Sequence, residues 1–211
     1  MMLLSKNLLN LLLTLFIASV ITSCATLNKD ECRTANWKLI GYEDGSNGYP
    51  TSRIGEHRKA CAEYGISPDL DLYNEGRAEG LHQYCVPATA YNLGRQGSSY
   101  QGNCAGYDEA RFLSAFNQGI KLFTANAALS QLQKILSQRQ EDLSYVKEEI
   151  HNKEQLIVDG KQSKTQIILL LLETKELYSK KTTISVEINN LQDDIEEQNS
   201  YISHIQNQNR Y

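Results

Sequence analysis

Two runs of apolar residues at helical spacing, joined by one turn, constrain this chain more than any other feature. From Leu129, alternating steps of three and four residues reach Leu132, Leu136, Arg139, Leu143, Val146, Ile150, Lys153 and Ile157, and seven of these nine positions are apolar. Asp159 to Ser163, DGKQS, is the only turn signal in this half. From Ile167 the same steps run through Leu170, Thr174, Leu177, Lys181, Ile184, Ile188, Leu191, Ile195, Gln198 and Ile202 to Ile205, with nine of twelve apolar. Each stripe lies along one helix face, so two stripes sharing a tight turn predict an antiparallel coiled-coil hairpin. Pairing outward from the turn sets Ile157 beside Ile167, Val146 near Leu177 and Leu132 near Leu191. A parallel oligomeric coiled coil is the competing arrangement, which the turn disfavours.

The segment before this hairpin is of another kind. Between Asn28 and Tyr107 lie four cysteines, all three prolines, the single tryptophan and eight of the twelve tyrosines, whereas Gly160 is the one glycine beyond Gly119. The expected fold class is therefore all-α: a small disulfide-bonded helical head, residues 24–110, followed by a helical hairpin, residues 111–211, with its turn near 159–163. Residues 1–23 read as a signal peptide. Lys6 is the only charge before Lys29, and Leu8 to Ile21 is almost unbroken apolar sequence, too short for a comfortable membrane span.

That apolar run ends in Ile21-Thr22-Ser23-Cys24, which resembles the lipobox of bacterial lipoproteins. The resemblance implies diacylglycerol on the Cys24 sulfur, cleavage before it and acylation of the new N-terminus, an anchor that exceeds the two-signal requirement for stable attachment. Ala25, in place of aspartate, resembles the pattern sorted to the outer membrane, facing the periplasm. An ordinary secretory signal ending beside a cysteine is the competing reading. Without residues 1–23 the chain carries 20 basic and 25 acidic residues, and no basic cluster or motif points to nucleic acid.

Export leaves Cys32, Cys61, Cys85 and Cys104, an even number that suits two disulfides in any of three connectivities. Helix signals are dense around them. Thr34 can start a helix through Trp37 and Tyr42, and Thr51 or Ser52 one that carries Arg53, His57 and Cys61 and stops at Gly65. Ser67-Pro68-Asp69 can start a third through Cys85, Pro87 opens a shorter one, and a last helix from about Asp108 flows into the hairpin. If the helices ending at Cys61 and Cys85 fold back on each other, those two cysteines lie too far apart to bond, since bonded Cα atoms sit within about 7 Å. Cys32–Cys61 with Cys85–Cys104 is then favoured. Gly41 with Gly45 and Gly76 with Gly80 lie one helical turn apart, a spacing that lets a neighbouring backbone or tyrosine ring come close. Tyr73-Asn74-Glu75-Gly76-Arg77 is echoed by Tyr91-Asn92-Leu93-Gly94-Arg95.

Trp37-x3-Gly41-x2-Asp44-Gly45-x2-Gly48, Arg53-x3-His57-x2-Ala60-Cys61 and Pro68-Asp69-x3-Tyr73-x2-Gly76-Arg77-x2-Gly80-Leu81-x2-Tyr84-Cys85 together resemble a domain-of-unknown-function family of Gram-negative envelope lipoproteins. Gly94, Gly97, Tyr100 and Cys104 continue the likeness, which covers about residues 24–120. It implies an outer-membrane lipoprotein and brings no activity with it.

Chemistry in the head is sparse. His57 with Cys61 and His82 with Cys85 have zinc-like spacing, but four cysteines in an oxidising compartment favour disulfides. Asp69, Asp71, Glu75 and Glu79 with His82 could serve as paired carboxylates, yet no nucleophile or oxyanion site accompanies them. The chain is read as a non-enzyme without metal or cofactor. Tyrosines with Arg77, Asn92, Arg95 and Gln96 offer a rival reading, a surface for peptidoglycan or another glycan. The strongest contact signal is in the hairpin. Ile168, Leu169, Leu171 and Leu172 point away from a two-helix seam, and Leu156 and Val158 stand across the turn, forming an apolar tip patch. Its expected occupant is a second copy of the chain or another envelope protein, so the expected role is structural or interactive.

Overall fold

The computed structural model describes residues 26–208, so the signal segment and Cys24 lie outside the described residues. Among the described residues seven helices follow in order: α1 (Lys29–Arg33), α2 (Trp37–Ser46), α3 (Arg53–Ala62), α4 (Leu70–Tyr84), α5 (Pro87–Arg95), α6 (Glu109–Val158) and α7 (Lys164–Gln208). The class is all-α, with two disulfides in the N-terminal helical region and two long helices packed against each other, as the sequence leads one to expect. Contacts divide the chain into two compact units. One holds the described residues up to Cys85 together with Gln101–Tyr107; the other holds Val86–Tyr100 and the chain from Asp108 onward.

In the first unit, local signals fix where each helix starts. Asn28 opens α1 with a capping box: its side chain accepts from the Asp30 and Glu31 amides, and Glu31 returns a bond to the Asn28 amide. Thr34 closes this short helix, and Asn36, whose side chain accepts from the Leu39 amide, caps α2. The Ser67-Pro68 start also shifts. Asp69 is the cap of α4, because its carboxylate reaches the Leu72 amide at 3.0 Å and sits at the positive end of the helix. Pro87 does occupy the first turn of α5, after an extended Val86. Cys32, Trp37, Cys61 and Tyr73 form the core here, flanked by Leu27, Ile40, Ile54 and Ile66.

The main partner of α4 is α2, and glycines make their crossing. A Cβ on Gly45 would overlap the Arg77 carbonyl, and one on Gly80 the Tyr42 carbonyl; Gly41 and Gly76 face the Tyr73 and Lys38 carbonyls in the same way. The two backbones therefore touch. This arrangement differs from the fold-back of α3 on α4 assumed in sorting the cysteines, although the cysteines do join as Cys32–Cys61 and Cys85–Cys104, each with Cα atoms 5.5 Å apart.

The second unit repeats the device. Where α5 crosses α6, a Cβ on Gly94 would overlap the Phe116 carbonyl and one on Gly119 the Tyr91 carbonyl. Further along, α6 and α7 run antiparallel for most of their length. Val146, Ile150, Ile184 and Ile188 make one buried cluster, and Leu122, Ala125, Ile202 and Ile205, with Tyr91 against them, make another. Three polar residues in the seam find polar partners: Lys153 pairs with Glu173 at 2.6 Å, Arg139 with Glu187 at 3.7 Å, and Gln198 donates to the Ala125 carbonyl, while Lys181 stands 5.5 Å over the Tyr178 ring. Thr174 is buried and donates back to the Leu170 carbonyl at 2.7 Å. The turn is built by Gly160 at φ +67° and by Ser163 and Gln166, which cap α7 reciprocally.

Candidate functional site

The hairpin end presents the apolar tip. Leu156, Val158, Ile168, Leu169, Leu171 and Leu172 are all exposed, Val158 to 81%. Geometry explains it, since two helices bury only one stripe of each and the IILLLL run, Ile167 to Leu172, fills more than one. Val158 and Leu171 line a shallow groove that continues past Thr174 to Tyr178, whose hydroxyl donates to Glu154 at 2.7 Å. That bond pushes the Tyr178 phenol above its ordinary range.

A second cluster lies in the interior of the first unit, and sequence reading did not assemble it. The Asp44 carboxylate, 6% exposed, accepts from the Tyr73 hydroxyl at 2.7 Å and bonds His57 Nε2 at 2.8 Å. Arg53 Nε stands 3.9 Å from the other Asp44 oxygen, its guanidinium 4.6 Å over the Tyr49 ring and paired with Glu56. The far nitrogen of His57, Nδ1, lies 3.0 Å from the Thr26 hydroxyl. Burial, and then the bond to Asp44, push the Tyr73 phenol well above the ordinary tyrosine value. No local signal in the sequence marked it, because a carboxylate beside a crossing glycine can stay exposed, as Glu75 beside Gly76 and Glu79 beside Gly80 do, whereas Asp44 is buried. It therefore needs donors, which Tyr73 and His57 supply.

The other sequence candidates are distributed rather than gathered. Cys61 and Cys85, which gave the zinc-like spacing, are disulfide-bonded, and His82 lies with its ring edge-on to Tyr107 at 4.9 Å. Asp69 is a helix cap, and Glu75 and Glu79 both hold Lys38, raising its pKa. Arg77 donates to the Tyr49 carbonyl, while Asn92, Arg95 and Gln96 are exposed, with Arg95 bonded to Asn92. The tyrosines of the glycan reading are largely engaged in packing: Tyr84 lies against Gly48, Tyr100 against Phe112, and Tyr107 donates to the Ala78 carbonyl. Among the described residues, no helix is long and apolar enough to cross a membrane.

No curated protein and no solved structure matches the chain. Residues 36–121, which span the glycine crossings of both units, match the family described as a protein of unknown function, DUF2799.

Proposed function

We propose that this chain is an envelope lipoprotein, held to the outer membrane through acyl groups on Cys24, that acts as a structural or interaction protein through its hairpin tip. The observation that carries the role is the tip itself. Six exposed apolar side chains crowd the turn end of the hairpin, and exposed apolar surface gathered in this way marks a contact site. Two disulfides support an oxidising compartment, which agrees with export.

The test is photo-crosslinking in intact cells from benzoylphenylalanine placed at Val158. An adduct is expected, its mass distinguishing a homodimer from a second envelope protein. Leu169→Asp with Leu172→Asp should abolish that adduct while far-UV ellipticity stays unchanged. An undiminished adduct in the double variant, or none in the parent, would sink the role given to the tip.

A further inference from the structure

The N-terminal arm of the first unit has almost no slack. Thr26 is held by its bond to His57 Nδ1, Leu27 packs on the core of Cys32, Trp37, Cys61 and Tyr73, and Cys32 is tied covalently to α3 through Cys61. Asn28 then starts α1 with both halves of a capping box satisfied. Thr26, the first described residue, follows Cys24 by only two positions. Two trans peptide links reach about 7 Å at most. The polar layer on each side of a bilayer is roughly 5–8 Å deep.

We infer that the face of the first unit around Thr26 lies directly against the phospholipid headgroup layer of the bilayer that holds the acyl chains. This rests on the acylation of Cys24 proposed above and goes beyond it, since an anchored protein need not touch its membrane. A residue fixed to a buried histidine at one end and one short link from an acylated residue at the other leaves no linker to lift the unit away. Charge agrees. The two helices nearest this arm expose Lys29 and Arg33 on α1 and Arg58 and Lys59 on α3. Against these four stand the exposed acids Asp30 and Glu31 on α1 and Glu63 just after α3, while Glu56 is paired with Arg53, so the cations outnumber the remaining acids by one. A slight excess of exposed cations suits a surface carrying anionic phospholipid.

The experiment uses the full acylated chain in vesicles of phosphatidylethanolamine and phosphatidylglycerol, with benzoylphenylalanine in place of Arg58. Irradiation is expected to give a lipid adduct, detected by mass. Inserting a flexible Gly/Ser spacer of about 12 residues between Ala25 and Thr26 should lower the adduct roughly tenfold, because effective concentration falls steeply with tether length. Trp37 fluorescence verifies that the unit is folded in both. Equal yields with and without the spacer, or no lipid adduct on a chain whose mass includes its acyl groups, would overturn the headgroup contact alone. A chain without acyl mass that washes off the vesicles would instead overturn the anchor, and this contact with it.

Discussion

The α2–α4 and α5–α6 crossings are built on one plan and differ in what they enclose. In each, the first helix ends alike. Asn47 and Gln96 adopt the same φ −90°, ψ −3°, followed by Gly48 and Gly97 at φ +69° and +71°. The amides of Tyr49 and Ser98 then close back onto the carbonyls of Asp44 and Leu93. In each, the second helix begins with a capping aspartate, Asp69 or Asp108, followed four residues later by a fully buried ring, Tyr73 or Phe112. Gly80 and Gly119 make the crossing, and Tyr84 and Phe123, one turn on, close over Gly48 and Gly97. Gly41 and Gly76 have buried Ala90 and Ala115 as their counterparts. At two matched positions the chemistry inverts: Asp44 and Tyr73 in the first pair stand where the second has Leu93 and Phe112. The connection between the helices of the first pair also carries α3, which brings Arg53 and His57 to Asp44; the second connection carries no helix. The crossing itself thus requires only small residues and rings. The buried polar cluster is an addition to one copy, and through Thr26 it reaches the N-terminal arm.

The widest gap between the pairs should appear on removing Asp44. Asp44→Ala leaves the Tyr73 hydroxyl, His57 and Arg53 without their shared acceptor in a buried place, a loss of about 3–5 kcal/mol. Leu93→Ala at the matched, half-buried position should lose under about 2 kcal/mol. Urea unfolding separates the two, because Trp37, the single tryptophan, lies in the first unit, while ellipticity is dominated by α6 and α7. If both substitutions proved equally mild, the polar cluster would be no more than a substitute for apolar packing.

The glycines should erase that difference. Gly80→Ala and Gly119→Ala each place a methyl against a helix backbone that cannot turn aside, and both should destabilise by about 2–3 kcal/mol. Gly80→Ala should lower the urea midpoint read by Trp37, and Gly119→Ala the one read by ellipticity. A large loss in one and none in the other would show that only one crossing is made by backbone contact, and the shared plan would fail.

How legible all this was in the sequence follows from how local each signal is. The hairpin was readable because heptad stripes and a DGKQS turn (Asp159 to Ser163) need nothing beyond helical periodicity. The cysteine pairing was favoured correctly on an incorrect premise: α4 lies on α2 rather than folding back on α3, and both arrangements keep Cys61 from Cys85. The glycine spacing announced close packing but not between which helices. The Tyr-Asn-x-Gly-Arg echo matched α4 to α5, whereas in the structure α5 plays the part of α2, and Gly94 corresponds to Gly45 rather than Gly76. Short motifs record composition at a crossing; which helix it meets depends on contacts far along the chain. The Asp44 cluster was missed for the same reason, as its donors come from α3, α4 and the N-terminal arm. The tip residues could be named from the sequence, because their exposure follows from an overfilled stripe.

The smallest expected effect is also the most specific. Tyr73→Phe converts the first pair to the ring of the second and keeps its packing, so only the bond to Asp44 is lost, about 1.5 kcal/mol for a hydrogen bond to a charged group whose other donors remain. Its pH dependence has a definite sign. Burial and the Asp44 carboxylate raise the folded-state pKa of Tyr73 above the unfolded value of 10.0, so the neutral phenol is the form that folding favours. That stabilisation is fully present below pH 10 and is lost as pH rises through the folded value, where the phenolate would have to form beside Asp44. Urea midpoints read by Trp37 should therefore fall less steeply above about pH 10 in Tyr73→Phe than in the parent, with the curves separated below it. Half-buried Tyr84, whose phenol is raised by burial alone, contributes its slope to both proteins and cancels. Parallel curves across the alkaline range would mean that Tyr73 does not titrate against Asp44, and the polar copy would then differ from the apolar one in shape alone.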